Sequence, residues 1–151
     1  MLELMKLLGF SLLGVGAGVS FVIQQALNSD LRGRLGSVSW AAFISYSGGV
    51  ITMLVVLLAT REPWLSAASI AGSPWWLWTG GFWGAVYIVI SVVLLPRLGA
   101  ATVVALIVTG QMLCSLAFDQ FGLFGIIHHP VGTVRLAGAL FLIAGVILIQ
   151  F

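Results

Sequence analysis

The placement of charge constrains this chain more than any other feature. Six basic and four acidic residues fall at Glu3, Lys6, Asp30, Arg32, Arg34, Arg61, Glu62, Arg97, Asp119 and Arg135. Charge-free intervals run between them at 7–29, 35–60, 63–96, 98–118 and 136–151. A helix needs roughly 20 predominantly apolar residues to cross about 30 Å of hydrocarbon. The first, second and fourth intervals fit one such helix each. With 7% of residues charged, 61% hydrophobic and a mean hydropathy of +1.20, the chain lies outside the soluble class, whose domains carry about 25% charge. A basic nucleic-acid face is excluded as well, because the pI of 9.2 reflects only six bases against four acids.

The third interval is too long for one span and too short for two. Pro63 and Gly72-Ser73-Pro74 mark a loop inside it, and Trp75-Trp76-Leu77-Trp78 opens the next helix. Clustered Trp at a helix end is the aromatic belt of a membrane interface. The last interval is short, but Arg135 can snorkel outward from the first turn. The expected fold is an all-α integral membrane protein of five transmembrane helices, over residues 5–27, 37–60, 76–95, 99–119 and 133–151. No linker or low-complexity stretch divides the chain, so one membrane domain is expected. A signal peptide is the rival for the first segment. Its 23 uncharged residues are long for that role, and no Ala-x-Ala-like exit precedes Asp30. Cys114 is the single cysteine, so no intramolecular disulfide forms.

Five spans put the termini on opposite sides. Lys6, Arg61 and Arg135 then share one side, and Arg32, Arg34 and Arg97 the other. Orientation follows asymmetry in Lys/Arg near span ends, and here there is none. Two outcomes follow: a weak preference fixes one orientation, or molecules insert both ways and pair antiparallel.

The helix faces carry small and polar residues. Gly14-x-x-x-Gly18, Gly80-x-x-x-Gly84 and the Gly138/Gly145 face have the spacing of close helix packing in lipid. On the first span, Ser11, Gly14, Gly18, Phe21, Gln25 and Asn28 fall on one face, which Ser20 and Gln24 widen. A carboxamide at this depth must face protein or water. Such residues act either as interhelical glue or as the wall of a polar cavity, and Gln24 and Asn28 are the cavity candidates. On the third span Trp83 and Tyr87 form an aromatic wall suited to a flat or cationic ligand, while Trp76 is an interfacial anchor. Tyr46 belongs to a weaker polar stripe on the second span. Gln111, Ser115 and Asp119 share a face of the fourth, with Asp119 at the membrane edge.

His128 and His129 diverge on a loop, and no other Cys, His or acid stands at a metal-ligand spacing from them. Nothing has the form of a nucleophile elbow, a phosphate-binding loop or a paired-carboxylate site. No enzyme, metal or cofactor is expected.

The strings Pro96-Arg97-Leu98-Gly99-Ala100-Ala101, Gly110-Gln111 and Asp119-Gln120-Phe121-Gly122-Leu123-Phe124-Gly125 resemble the YdcZ-like family of the drug/metabolite transporter superfamily. Gly14-x-x-x-Gly18 with Gln24 and Asn28 fits the same pattern. The resemblance implies one half of a ten-helix inverted-repeat transporter in the bacterial inner membrane. It also implies similarity to small multidrug resistance transporters, which act as antiparallel dimers. A midplane site between the halves is then implied, lined by spans 1 to 4, with span 5 peripheral. Those transporters couple protons through a membrane-embedded Glu in helix 1. Here Gly14, Gly16 and Ser20 occupy that depth, which leaves Asp119 as the coupling candidate, Glu3 and Glu62 behind it, or uncoupled passage. The expected function is transport of a small organic solute by an antiparallel homodimer in the lipid bilayer. The alternative is a non-transporting membrane subunit, or a half-transporter that needs a paralogous partner.

Overall fold

The computed structural model describes residues 2–150. Phe151, the expected end of the fifth span, and the side chain of Glu3 lie outside the described residues. In chain order the elements are α1 (Leu2–Leu35), α2 (Val38–Thr60), the short α3 (Ala67–Ala71), a 3-10 turn (Trp75–Thr79), α4 (Gly80–Leu98), α5 (Ala100–Phe121), a 3-10 turn (Leu123–Gly125) and α6 (Thr133–Gln150). No strand occurs among the described residues, and the five long helices correspond to the five expected spans. Residues through Pro96 form one compact unit and residues from Arg97 a second.

In the first unit α1 runs well past its expected end. The 23 uncharged residues end at Ser29, yet the helix continues to Leu35. Nothing in Asp30–Arg34 breaks a helix, and Arg34 Nε donates to Asp30 Oδ2 at 2.8 Å in the favourable i,i+4 register. The stop comes at Gly36, whose φ of +64° suits glycine. Charge ended the apolar stretch without ending the helix. Ser37 then caps α2, its hydroxyl accepting from Trp40 N at 3.3 Å. At the other end of α2, Arg61 adopts a left-handed conformation (φ 54°, ψ 39°), and the cap N–H groups reach Leu57 and Leu58 carbonyls. The following segment holds α3, where the sequence indicates only loop.

α4 also passes its expected end, and the reason is chemical. Pro96 lies inside the helix and has no N–H for the carbonyl of Val92, four residues earlier. Arg32 Nη1 of α1 donates to that carbonyl at 3.3 Å. A side chain from one helix thus replaces the hydrogen bond that proline removes from another, and α4 continues to Leu98. Gly99 (φ +79°, ψ 160°) makes the turn into α5.

The second unit is a hairpin of α5 and α6. Gly122 ends α5 in the left-handed region, its N–H bonded to the Phe118 carbonyl. Phe124 and Gly125 also have positive φ, at 55° and 78°, and the Phe124 ring meets Phe118 edge-on at 5.3 Å. Across the loop His129 N donates to the Asp119 carbonyl at 2.9 Å, and Val131 N to Gln120 Oε1 at 2.8 Å. The Asp-Gln-x-Gly-x-Phe-Gly string is therefore a corner: each polar or glycine position serves the backbone of the turn. At 18 residues α6 is the shortest of the five, about 27 Å long, whereas α1, α2, α5 and the combined Trp75–Leu98 segment have full spanning length.

Most of the large apolar side chains among the described residues are exposed, as suits a chain surrounded by hydrocarbon. In the first unit the buried apolar residues are Ala41, Ala42, Ile88 and Val92, and beside them Gln25, Asn28 and Ser91 are buried too. Lipid offers no hydrophobic drive between helices, so polar contacts take a larger share of the interior.

The Arg32–Val92 link gives a stability prediction. Arg32→Ala should cost about 1 kcal/mol, the scale of one hydrogen bond from a partly exposed charged group. In a Pro96→Ala background the restored backbone N–H should remove most of that cost. Denaturation of the four proteins of the cycle in detergent measures the coupling, and additive losses would refute the link.

Candidate functional site

The buried polar residues of the first unit come from α1 and α4, and α2 adds a half-buried tyrosine beside them. On α1, Phe21, Gln25, Asn28 and Arg32 fall at spacings of 4, 3 and 4, one face turned toward α4. Gln25 is 2% exposed and Asn28 4%. Gln25 Nε2 donates a hydrogen bond to the Tyr87 hydroxyl of α4. The rings of Phe21 and Tyr87 stack with centroids 4.9 Å apart and an interplanar angle of 25°. One turn further along α4, Ser91 is 1% exposed, and its hydroxyl returns to the Tyr87 carbonyl at 2.9 Å.

α2 contributes Tyr46. Its hydroxyl lies against Gly84, where a methyl group would collide with it. Gly84 stands three residues before Tyr87, so the missing side chain brings a second phenol beside the first. α1 and α4 meet through these long side chains, without close backbone approach. Two buried atoms of the cluster have no hydrogen-bond partner, Gln25 Oε1 and Asn28 Nδ2. Leaving such an atom unpaired costs about 1–3 kcal/mol.

The cluster unites three of the residues expected from sequence, Asn28, Tyr46 and Tyr87. It does not include the others. Gln24 is exposed, because it sits about 100° around the helix from Gln25. Trp83 is 65% exposed, with its ring edge-on to Phe82 at 5.4 Å. Gln111 is exposed on α5, in the second unit. Of the glycines expected to pack, only Gly84 meets a neighbour. Gly14, Gly18, Gly80, Gly138 and Gly145 have open space where a Cβ would stand. The periodicity of α1 sets Gln25 on the face of Asn28, and the buried amide there is Gln25 and not Gln24. Ser91 and Arg32 extend the cluster at i+4 from Tyr87 and Asn28.

Asp119, the coupling candidate, is in the second unit. Its Oδ2 accepts from Arg135 Nη1 at 3.1 Å, with the two side chains 29% and 49% exposed. The pair ties α5 to the first turn of α6, beside a groove of about 470 Å³ lined by Met112, Ser115, Gly138 and Leu142.

A family model described as "Putative inner membrane exporter, YdcZ" matches residues 9–148. The chain belongs to that family. It is a multi-pass inner-membrane transport protein, and the match takes in all five long helices. No curated protein and no solved structure matches it. Two of the YdcZ-like strings, those beginning at Pro96 and at Asp119, are explained by backbone needs. Pro96 through Gly99 ends α4 and turns the chain, and Asp119 through Gly125 builds the α5–α6 corner. The polar cluster lies outside both.

The close approach at Gly84 is testable. Gly84→Ala should lower thermal stability in detergent by about 1 kcal/mol, the low end for overpacking because the Tyr46 ring can swing. Adding Tyr46→Phe should recover part of the loss. Equal melting temperatures for Gly84→Ala and the parent would show that Tyr46 does not seat there.

Proposed function

We propose that this five-helix chain is one membrane domain that exports a small organic solute as an antiparallel homodimer, with the α1–α2–α4 cluster as its solute-binding wall. The observation that carries the reading is the buried amide pair. Gln25 and Asn28 hold hydrogen-bonding atoms that no protein group uses, in surroundings where unpaired polar atoms are costly. A passing solute gives those atoms partners. Beside them stand an aromatic stack and a phenol, the apolar wall that a small-molecule site needs.

Two further observations support pairing. Positive charge is divided three against three between the expected sides, which leaves orientation undetermined. The first half of α1, from Leu4 to Ser20, is exposed all round, and its glycines at 9, 14, 16 and 18 stand in open space. A second, inverted copy would cover that surface. The same open surface also fits a paralogous half-transporter or an unrelated membrane protein, for which this chain would be a subunit. A stable homodimer after purification supports the leading reading; obligate co-purification with a different protein supports the second. A reporter fused after Phe151 should give signal on both sides of the membrane.

In this reading Asp119 is a latch, because its carboxylate and carbonyl are both engaged in the α5–α6 corner. Asp119→Asn should therefore retain solute flux in proteoliposomes and cost less than about 1 kcal/mol, as an exposed pair does. Loss of pH-driven accumulation in that variant would return the coupling role to Asp119. Gln25→Leu should reduce flux at least about tenfold, a loss of roughly 1.4 kcal/mol in the transport barrier, and Trp83→Ala should reduce it less. Unchanged flux in both would remove the assignment.

A further inference from the structure

The cluster on α1, α2 and α4 has hydrogen-bonding capacity but no acid, lysine or histidine. Of the nearby charges of α1, only that of Arg32 reaches the cluster. Asp30 holds Arg34 on the exposed side, and Arg32, one turn beyond Asn28, is turned to the Val92 carbonyl. Gln25 uses its Nε2 on Tyr87 and keeps a free acceptor, Oε1; Asn28 keeps a free donor, Nδ2. The two residues stand three apart on one helix face, so their side chains start about 5–6 Å from each other.

An acceptor beside a donor is matched by a solute edge that offers N–H and C=O together. That edge is a carboxamide or a ring amide. The stacked Phe21 and Tyr87 rings supply a flat apolar surface next to it. A cationic solute would enter beside the Arg32 guanidinium and without a partner of opposite sign, and an uncompensated charge in such a place costs several kcal/mol. We infer that the cluster selects uncharged solutes carrying an amide edge on a flat ring, over cations of the same shape. The inference rests on the transport reading of this cluster and narrows it to a class of substrate.

Benzamide and benzamidine test it, because they share one ring and nearly one shape and differ in charge. The full-length protein in detergent should bind benzamide saturably and at least about tenfold more tightly than benzamidine. Gln25→Leu and Asn28→Leu should each weaken benzamide binding by about tenfold or more. Gln25→Glu, which offers only acceptors and a negative charge, should move the preference toward benzamidine. The inference is overturned if benzamidine binds the parent as tightly as benzamide, if benzamide shows no saturable binding, or if both leucine variants bind it normally. Should a variant fail to fold, the order of the two probes on the parent protein still decides. Counterflow in proteoliposomes separates the two readings. Benzamide binding without labelled-benzamide counterflow removes the transport reading and supports the selectivity. Counterflow of benzamidine but not benzamide supports transport and overturns the selectivity.

Discussion

The hydrogen bond from Gln25 to Tyr87 organises the first unit. In hydrocarbon there is no water to take over an abandoned amide, so a side chain that enters the helix interface must find protein. Gln25 does so across the gap between α1 and α4, and the consequences follow from that one tie. It sets Phe21 over the Tyr87 ring, keeps Ser91 one turn below, and places Asn28 and Arg32 on the inner face. The gap is filled by long polar side chains instead of close-packed backbone. A cluster assembled this way holds its helices together and still presents polar atoms to whatever comes between them.

The architecture was largely legible because charge and glycine mark it directly. Ten charged residues bounded the apolar stretches, and five long helices occupy them. Boundaries failed where the membrane edge and the helix edge differ. Asp30 to Arg34 stops an apolar run, but the Asp30–Arg34 pair keeps the segment helical despite Gly33, so α1 continues to Leu35. Pro96 should end α4 on local grounds, and only a residue 60 positions away, Arg32, makes it tolerable. That compensation has no local signal.

The site was legible in part for a related reason. Periodicity identified the α1 face that holds Gln25 and Asn28, and it put Tyr87 on the correct side of α4. Choosing between Gln24 and Gln25 required the direction of α4, which no single-helix pattern contains. Gly84 was visible as half of a small-residue pair, yet its partner is the Tyr46 hydroxyl and not another glycine-bearing helix. Asp119 shows the opposite case. As the sole acid near the middle spans it invited a functional role, and its surroundings make it part of a corner.

The extra length of α1 has a mechanical consequence. With 34 residues the helix is about 51 Å long, against a hydrocarbon slab of about 30 Å. Even the stretch from Lys6 to Asp30 measures about 36 Å along the axis. To keep both charges outside the slab without protruding, it would lean by about 30°, within the ordinary range for membrane helices. A thinner bilayer would require more lean and a thicker one less. Because α1 carries Gln25 and Asn28, its lean and the position of the polar cluster change together. The thickness of the surrounding lipid therefore bears on the cluster through the helix that carries its two amides.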